Sequence, residues 1–133
     1  MSELKPENGI YEALRDFPAL KAIINGRVFP AIAPAGVAAP YVVLSQVEER
    51  SQASKDGPIP AGWGFQVACV AADNATARAA SRAAKKALNW VTITTPEGAI
   101  RCRATDEINA DWDDDQQYFQ IVQDYTARRV RLT

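Results

Sequence analysis

Histidine is absent from the 133-residue chain. That excludes Ser-His-Asp and Cys-His nucleophilic catalysis, and every metal site that needs an imidazole. Cysteine is nearly absent. Cys69 and Cys102 form no CxxC pair and each sits in an apolar, strand-like run, so two buried free thiols are expected rather than a disulfide framework. No window approaches 18 apolar residues free of charge, and the polar start MSELKPENGIYEAL is not built as a signal peptide, so the reading is a soluble cytoplasmic chain with no membrane partner. Neither sign of charge is in excess: 15 Lys and Arg stand against 16 Asp and Glu, a net charge of −1. A protein that grips nucleic acid or an anionic membrane over its whole surface is thereby excluded. No GxGxxG, P-loop or GxSxG motif occurs. Gly57-Pro58-Ile59-Pro60 and Gly62-Trp63-Gly64 lack the strand-then-helix context of a phosphate cradle.

What is present is a core. Apolar residues make up 47% of the chain, enough for one domain spanning 1–133, with 1–8 as a frayed lead-in. The stretch Gly26–Val47, GRVFPAIAPAGVAAPYVVLSQV, organises the first half. Before it, Ile10, Leu14 and Phe17 recur at helical spacing, and Pro18 starts a second short turn that ends at Asn25-Gly26. Arg27–Ala31 reads as a strand that Pro30 assigns to an edge, Ala33–Pro40 as a stiff loop, and Tyr41–Arg50 as a strand with a polar far end. Ser51–Gly62 reads as a loop, and Trp63–Ala72 as the central strand. Asp73 or Asn74 caps an alanine-rich helix over Ala75–Trp90, which is expected to pack across that strand. Val91–Thr95 and Ala99–Thr105 are strands joined at Pro96-Glu97-Gly98. Asp106–Asp115 reads as a solvated acidic loop and Gln116–Leu132 as a last strand bulged near Ile121-Val122. The fold class is α+β: a mixed or mainly antiparallel sheet of about five to six strands, with two helices mainly on one face, in the order α-β-β-β-α-β-β-β.

The charged clusters are the only features that invite a functional reading. Asp111-x-Asp113-x-Asp115 imitates the start of a calcium loop, but Gln116 replaces the turn glycine and Val122 the bidentate glutamate, so no metal site is expected. Acids crowded into one polar run do not face one another across a cleft, which argues against carboxylate-pair catalysis. Arg78, Arg82, Lys85 and Lys86 fall on the helix, Arg101 and Arg103 on a strand, and Arg128, Arg129 and Arg131 at the end of the chain; solvated faces are the plain reading. Trp63 and Trp90 are assigned to the core. Trp112, set among aspartates, is a candidate interface anchor.

In their order, GRVFP (Gly26–Pro30), AP-x-G (Ala33–Gly36), PYVVLSQV (Pro40–Val47), GFQVACVA (Gly64–Ala71), ARAASRAAKKAL (Ala77–Leu88) and DYTARR (Asp124–Arg129) make the chain resemble the tail completion proteins of tailed bacteriophages and prophages, also called tail terminators or tail-to-head joining proteins. The resemblance runs over roughly residues 9 to 130. It implies a non-catalytic, cofactor-free virion protein that assembles in the host cytoplasm into a ring, typically a hexamer. That ring would cap the head-proximal end of the tail tube, stop its polymerisation, and meet a head-completion or neck protein, with DNA passing through the lumen only transiently. The candidate ring and partner contacts are Glu48, Glu49, Arg50, Lys55, Asp56, Asp111, Trp112, Asp113, Asp114, Asp115, Arg128, Arg129 and Arg131. The acidic 106–115 run and the basic end are candidate opposite sides of a closing contact. The residues by themselves leave open a cytoplasmic, non-catalytic module that binds a protein or a small ligand in a concave apolar pocket.

Overall fold

The computed structural model describes residues 6–30, 33, 36–52, 59–96, 98–113 and 118–130. Helix α1 spans Pro6–Asp16 and helix α2 spans Pro18–Ile24. Ile10 and Leu14, one turn apart in α1, are fully buried, and Leu20 and Ile24 repeat that spacing in α2. Pro18 separates the two. A proline drives the residue before it out of the helical region, and Phe17 is extended, at φ −69° and ψ 118°. Helix α2 ends on Asn25 in the left-handed region, φ 55°, with its N–H donating to the Lys21 carbonyl at 2.8 Å, and Gly26 follows at φ 77°.

Six strands follow: β1 (Val28–Pro30), β2 (Tyr41–Gln52), β3 (Ile59–Ala71), β4 (Val91–Thr95), β5 (Gly98–Asp113) and β6 (Tyr118–Val130). They form one mixed sheet in the order β1-β2-β3-β6-β5-β4, with β1 parallel to β2 and every other pair antiparallel. Strand β1 lies at the edge, where the missing N–H of Pro30 costs nothing. Arg27 ties the proline loop down: its Nε donates to the Pro40 carbonyl at 3.0 Å, and its own carbonyl accepts the Val42 N–H at 2.9 Å.

Helix α3 (Asn74–Leu88) crosses back over β3 and β6. Asp73 starts it, accepting the Thr76 N–H at 2.7 Å and the Thr76 hydroxyl at 2.9 Å. Ala77, Ala80, Ala83, Ala84, Ala87 and Leu88 form its buried face. Beneath lie Phe65, Val67 and Cys69 of β3 and Tyr125 and Ala127 of β6, with Val42 and Leu44 of β2 and Ile100 and Cys102 of β5 to either side. Phe65 and Tyr125 sit opposite each other across the strands and stack at 5.3 Å. The fold is α+β, and the helices number three rather than two because Pro18 splits the first. Among the described residues no helix is long and apolar enough to cross a membrane.

Several stretches depart from the sequence reading. Ser51–Gly62 is not wholly loop: β2 runs on to Gln52 and β3 starts at Ile59, with register shifts between Ser45 and Glu48 and between Arg50 and Ser51. Bulges let the ladder absorb Pro60 and Gly62, which local turn chemistry alone assigns to a loop. Asp106–Asp113 is strand, because Ile108–Asp113 pairs with Tyr118–Gln123. The expected irregularity in the last strand lies in β5 instead. Between Ala104 and Ile108 four residues advance on β5 against two on β6. Strand β6 alternates strictly from Gln120 to Arg128, and what looks like a slip is a buried polar residue, Gln123. Its Nε2 donates to the Thr105 carbonyl at 2.8 Å, inside the β5 bulge, and to the Asp124 carbonyl at 3.1 Å. Trp90 is exposed rather than core, because it adopts φ 61° just past the end of α3.

Gly62 has φ 104°, and a Cβ there would run into the Ala127 backbone carbonyl. Gly62→Ala is expected to destabilise the fold by more than about 1 kcal/mol, measured by urea unfolding. The Thr76 backbone and side-chain hydrogen bonds hold the Asp73 carboxyl below its ordinary pKa. A depressed folded pKa contributes stability above the unfolded value of about 3.9 and loses it as pH falls through the folded one. Asp73→Ala should therefore lower the melting temperature at neutral pH, with the gap to wild type closing in acid. Asp73→Asn, which still caps, should lower it less.

Candidate functional site

The buried titratable groups are chemically quiet. Cys69 and Cys102 are free and buried, and burial pushes both thiols up to about 12. The thiol is the weaker nucleophile, so neither side chain is poised for attack. Burial also raises the Tyr125 hydroxyl, which has no hydrogen-bond partner. Among the described residues no three His, Cys, Asp or Glu side chains are grouped to hold a metal.

The placement of the charged residues follows from strand direction. Strands β2 and β6 run the same way, so the far end of the β2–β3 hairpin and the end of β6 share one end of the sheet. Of the sequence-nominated residues, Glu48, Glu49 and Arg50 lie there on β2, paired with Gly64, Trp63 and Gly62. Arg128 and Arg129 are at the same end and exposed, with Arg128 reaching close enough that a Cβ on Gly62 would stand 3.3 Å from its Cγ. Asp111, Trp112 and Asp113 lie at the opposite end of β5, paired with Gln120, Phe119 and Tyr118. Lys55, Asp56, Asp114, Asp115 and Arg131 fall outside the described residues.

The structure adds residues that the sequence reading left in the core or in a plain solvated strand. Arg101 and Arg103 both lie against the exposed Trp90 ring, at 5.6 Å and 5.5 Å from guanidinium carbon to centroid. Arg101 stands opposite Arg128 across the β5–β6 ladder. The Arg-x-Arg alternation in a strand was visible in the sequence and puts both cations on one face. The outward turn of Trp90 was not, because it depends on a left-handed residue at the helix end.

The sequence model of tail completion protein gp17 matches residues 8–129. The chain belongs to that family. Membership makes it a structural tail protein. Among solved structures it is similar to a chain of the virion of a native gene transfer agent particle, at 24% identity over 90% of both chains, with a TM-score of 0.73. A second solved chain, 16% identical, aligns over 95% of this chain and 98% of its own with a TM-score of 0.56. Both likenesses show the fold. No curated protein sequence matches.

With thiols raised to about 12, only about one in ten thousand would be ionised at pH 8. Neither Cys69 nor Cys102 should react with a thiol-exchange reagent at that pH in the native protein, and both should react at once in denaturant. A fast native reaction, followed by absorbance, would show that the core opens locally.

Proposed function

We propose that this chain works as a ring, typically a hexamer, at the head-proximal end of a phage-like tail tube. The ring ends tube polymerisation and presents a surface to which the neck of the head joins. The observation that carries this reading is the family match over residues 8–129. The gene transfer agent likeness supports the same setting, since that relative is a component of a virion. The geometry supports it too. A monomer with Glu48, Glu49, Arg128 and Arg129 at one end of the sheet and Asp111 and Asp113 at the other has two unlike ends, which suits a heterologous contact that repeats until it closes. The candidate contact residues are those nominated from the sequence: the Glu48–Arg50 strand end with Lys55 and Asp56, the acidic residues 111 and 113–115 with Trp112, and Arg128, Arg129 and Arg131. Assembly takes place in the host cytoplasm and the finished ring stays in the virion tail. DNA crosses it only in transit.

The test is negative-stain microscopy of tail tubes assembled with and without the purified protein. Tubes made without it should be longer and variable in length. Added protein should shorten them to a narrow distribution, with a ring of extra density at one end. Tubes of unchanged length and bare ends would refute the reading.

A further inference from the structure

Strands β5 and β6 pair in two stretches that do not share one register. From Ala99 to Ala104, β5 pairs with Val130 to Tyr125, and from Ile108 to Asp113 it pairs with Gln123 to Tyr118. Between them Thr105, Asp106 and Glu107 stand against the single residue Asp124, an excess of two residues. The excess is even, and side chains alternate with a period of two. The second stretch can therefore slide along β6 by that amount with every position keeping its face. A bulge of one extra residue offers no such alternative, because removing it turns the strand over.

The slid register is regular. Thr105 would face Asp124, Asp106 would face Gln123 and Ile108 would face Ile121, in line with the Ala104–Tyr125 pair. Positions 108 and 110 would stay on the face that β6 lines with the buried Ile121 and Gln123. The connection permits it. Residues 114–117 join the last observed pair, Asp113 and Tyr118, and the slide leaves two residues between strands, a length that hairpins commonly use. A regular ladder also pairs backbone groups that a bulge leaves out. The bulged register must be held by something specific.

Two residues hold it. Gln123 is only 4% accessible, and its Nε2 donates to the Thr105 carbonyl at 2.8 Å. The Thr105 hydroxyl donates to the Asp124 carbonyl at 3.2 Å, so the bulge is fixed at its first residue. A buried amide that lost its acceptor would be costly. The other residue is Asp106. In the slid register it takes the inward position opposite Gln123, beside the buried Ile121 and Tyr125, where a carboxylate is stripped of water. The bulge gives that position to Ile108 instead. We propose that the β5–β6 arm has a second, bulge-free register, and that Gln123 and Asp106 are positioning residues that exclude it. The slide would carry residues 111–113 about 7 Å along β6. The lock thus sets where the far end of β5 stands, whether or not the chain forms a ring.

The test is disulfide trapping in the full-length protein, with Cys69 and Cys102 left in place in the core. Position 109 faces 122 in the observed register and 120 in the slid one. A disulfide closes between directly opposite positions and not across the diagonal, where Cβ atoms lie about 7–8 Å apart. In an otherwise native chain, Asn109→Cys/Val122→Cys should close under mild oxidant and Asn109→Cys/Gln120→Cys should not, read by mass spectrometry of digests. Adding Gln123→Leu should speed closure of the 109–120 pair about tenfold, the weight of one net hydrogen bond, and slow the 109–122 pair. Asp106→Val, which leaves Gln123 and Thr105 in place, should shift both rates in the same directions, whereas Asp106→Glu should keep the native pattern. Circular dichroism melts establish that each variant is folded, and if Gln123→Leu does not fold, Asp106→Val decides. The proposal is overturned if the 109–120 pair closes as readily as the 109–122 pair in the native background. It is equally overturned if folded Gln123→Leu or Asp106→Val chains close the two pairs at native rates.

Discussion

The alanine face of α3 lies directly on β3 and β6, and the rest of the molecule depends on that contact. Side chains no larger than a methyl group at Ala77, Ala80, Ala83, Ala84 and Ala87 let the helix backbone approach the sheet closely. The space left is filled by the stacked Phe65 and Tyr125. Helices α1 and α2 are too short to persist alone. They exist because Ile10, Leu14, Leu20 and Ile24 find a surface made by α3 and the sheet. All three helices are thus committed to one face of the sheet, and Arg101, Arg103 and Arg128 stand on the other.

Most of this was legible because it rests on local rules. Asn25-Gly26 demands a left-handed helix end, Pro18 demands a break, Asp73 demands a cap, and the alternation in Trp63–Ala72 demands a central strand. The misread parts share one physical cause: they are decided by what lies across the ladder. Asp106–Asp113 has the composition of a loop and becomes strand only because β6 supplies its backbone partners. Ile59–Gly62 has turn residues and becomes strand because β2 does the same. Gln123 breaks an apolar alternation in the sequence, yet in the fold it occupies a regular inward position and donates into a bulge on its neighbour. The charged ends of the candidate surface were readable as charges; their separation along one hairpin required the register.

A near-zero net charge is spread unevenly: Arg128 and Arg129 share one end of the sheet with Glu48 and Glu49, and Asp111 and Asp113 lie on β5 at the other. The guanidiniums at Arg101, Arg103 and Arg128 and the carboxylates at Asp111 and Asp113 belong to the same two strands, held apart by the length of β6.

The shortness of β4 has a further effect. It covers β5 only from Gly98 to Cys102, and among the described residues no strand flanks the remainder of β5 on that side. A long bare strand edge is normally an invitation to uncontrolled backbone zippering between identical chains. Here that edge carries Asp106, Glu107, Asp111 and Asp113, and stacked copies would bring like charges together. Charge along an open strand opposes that zippering.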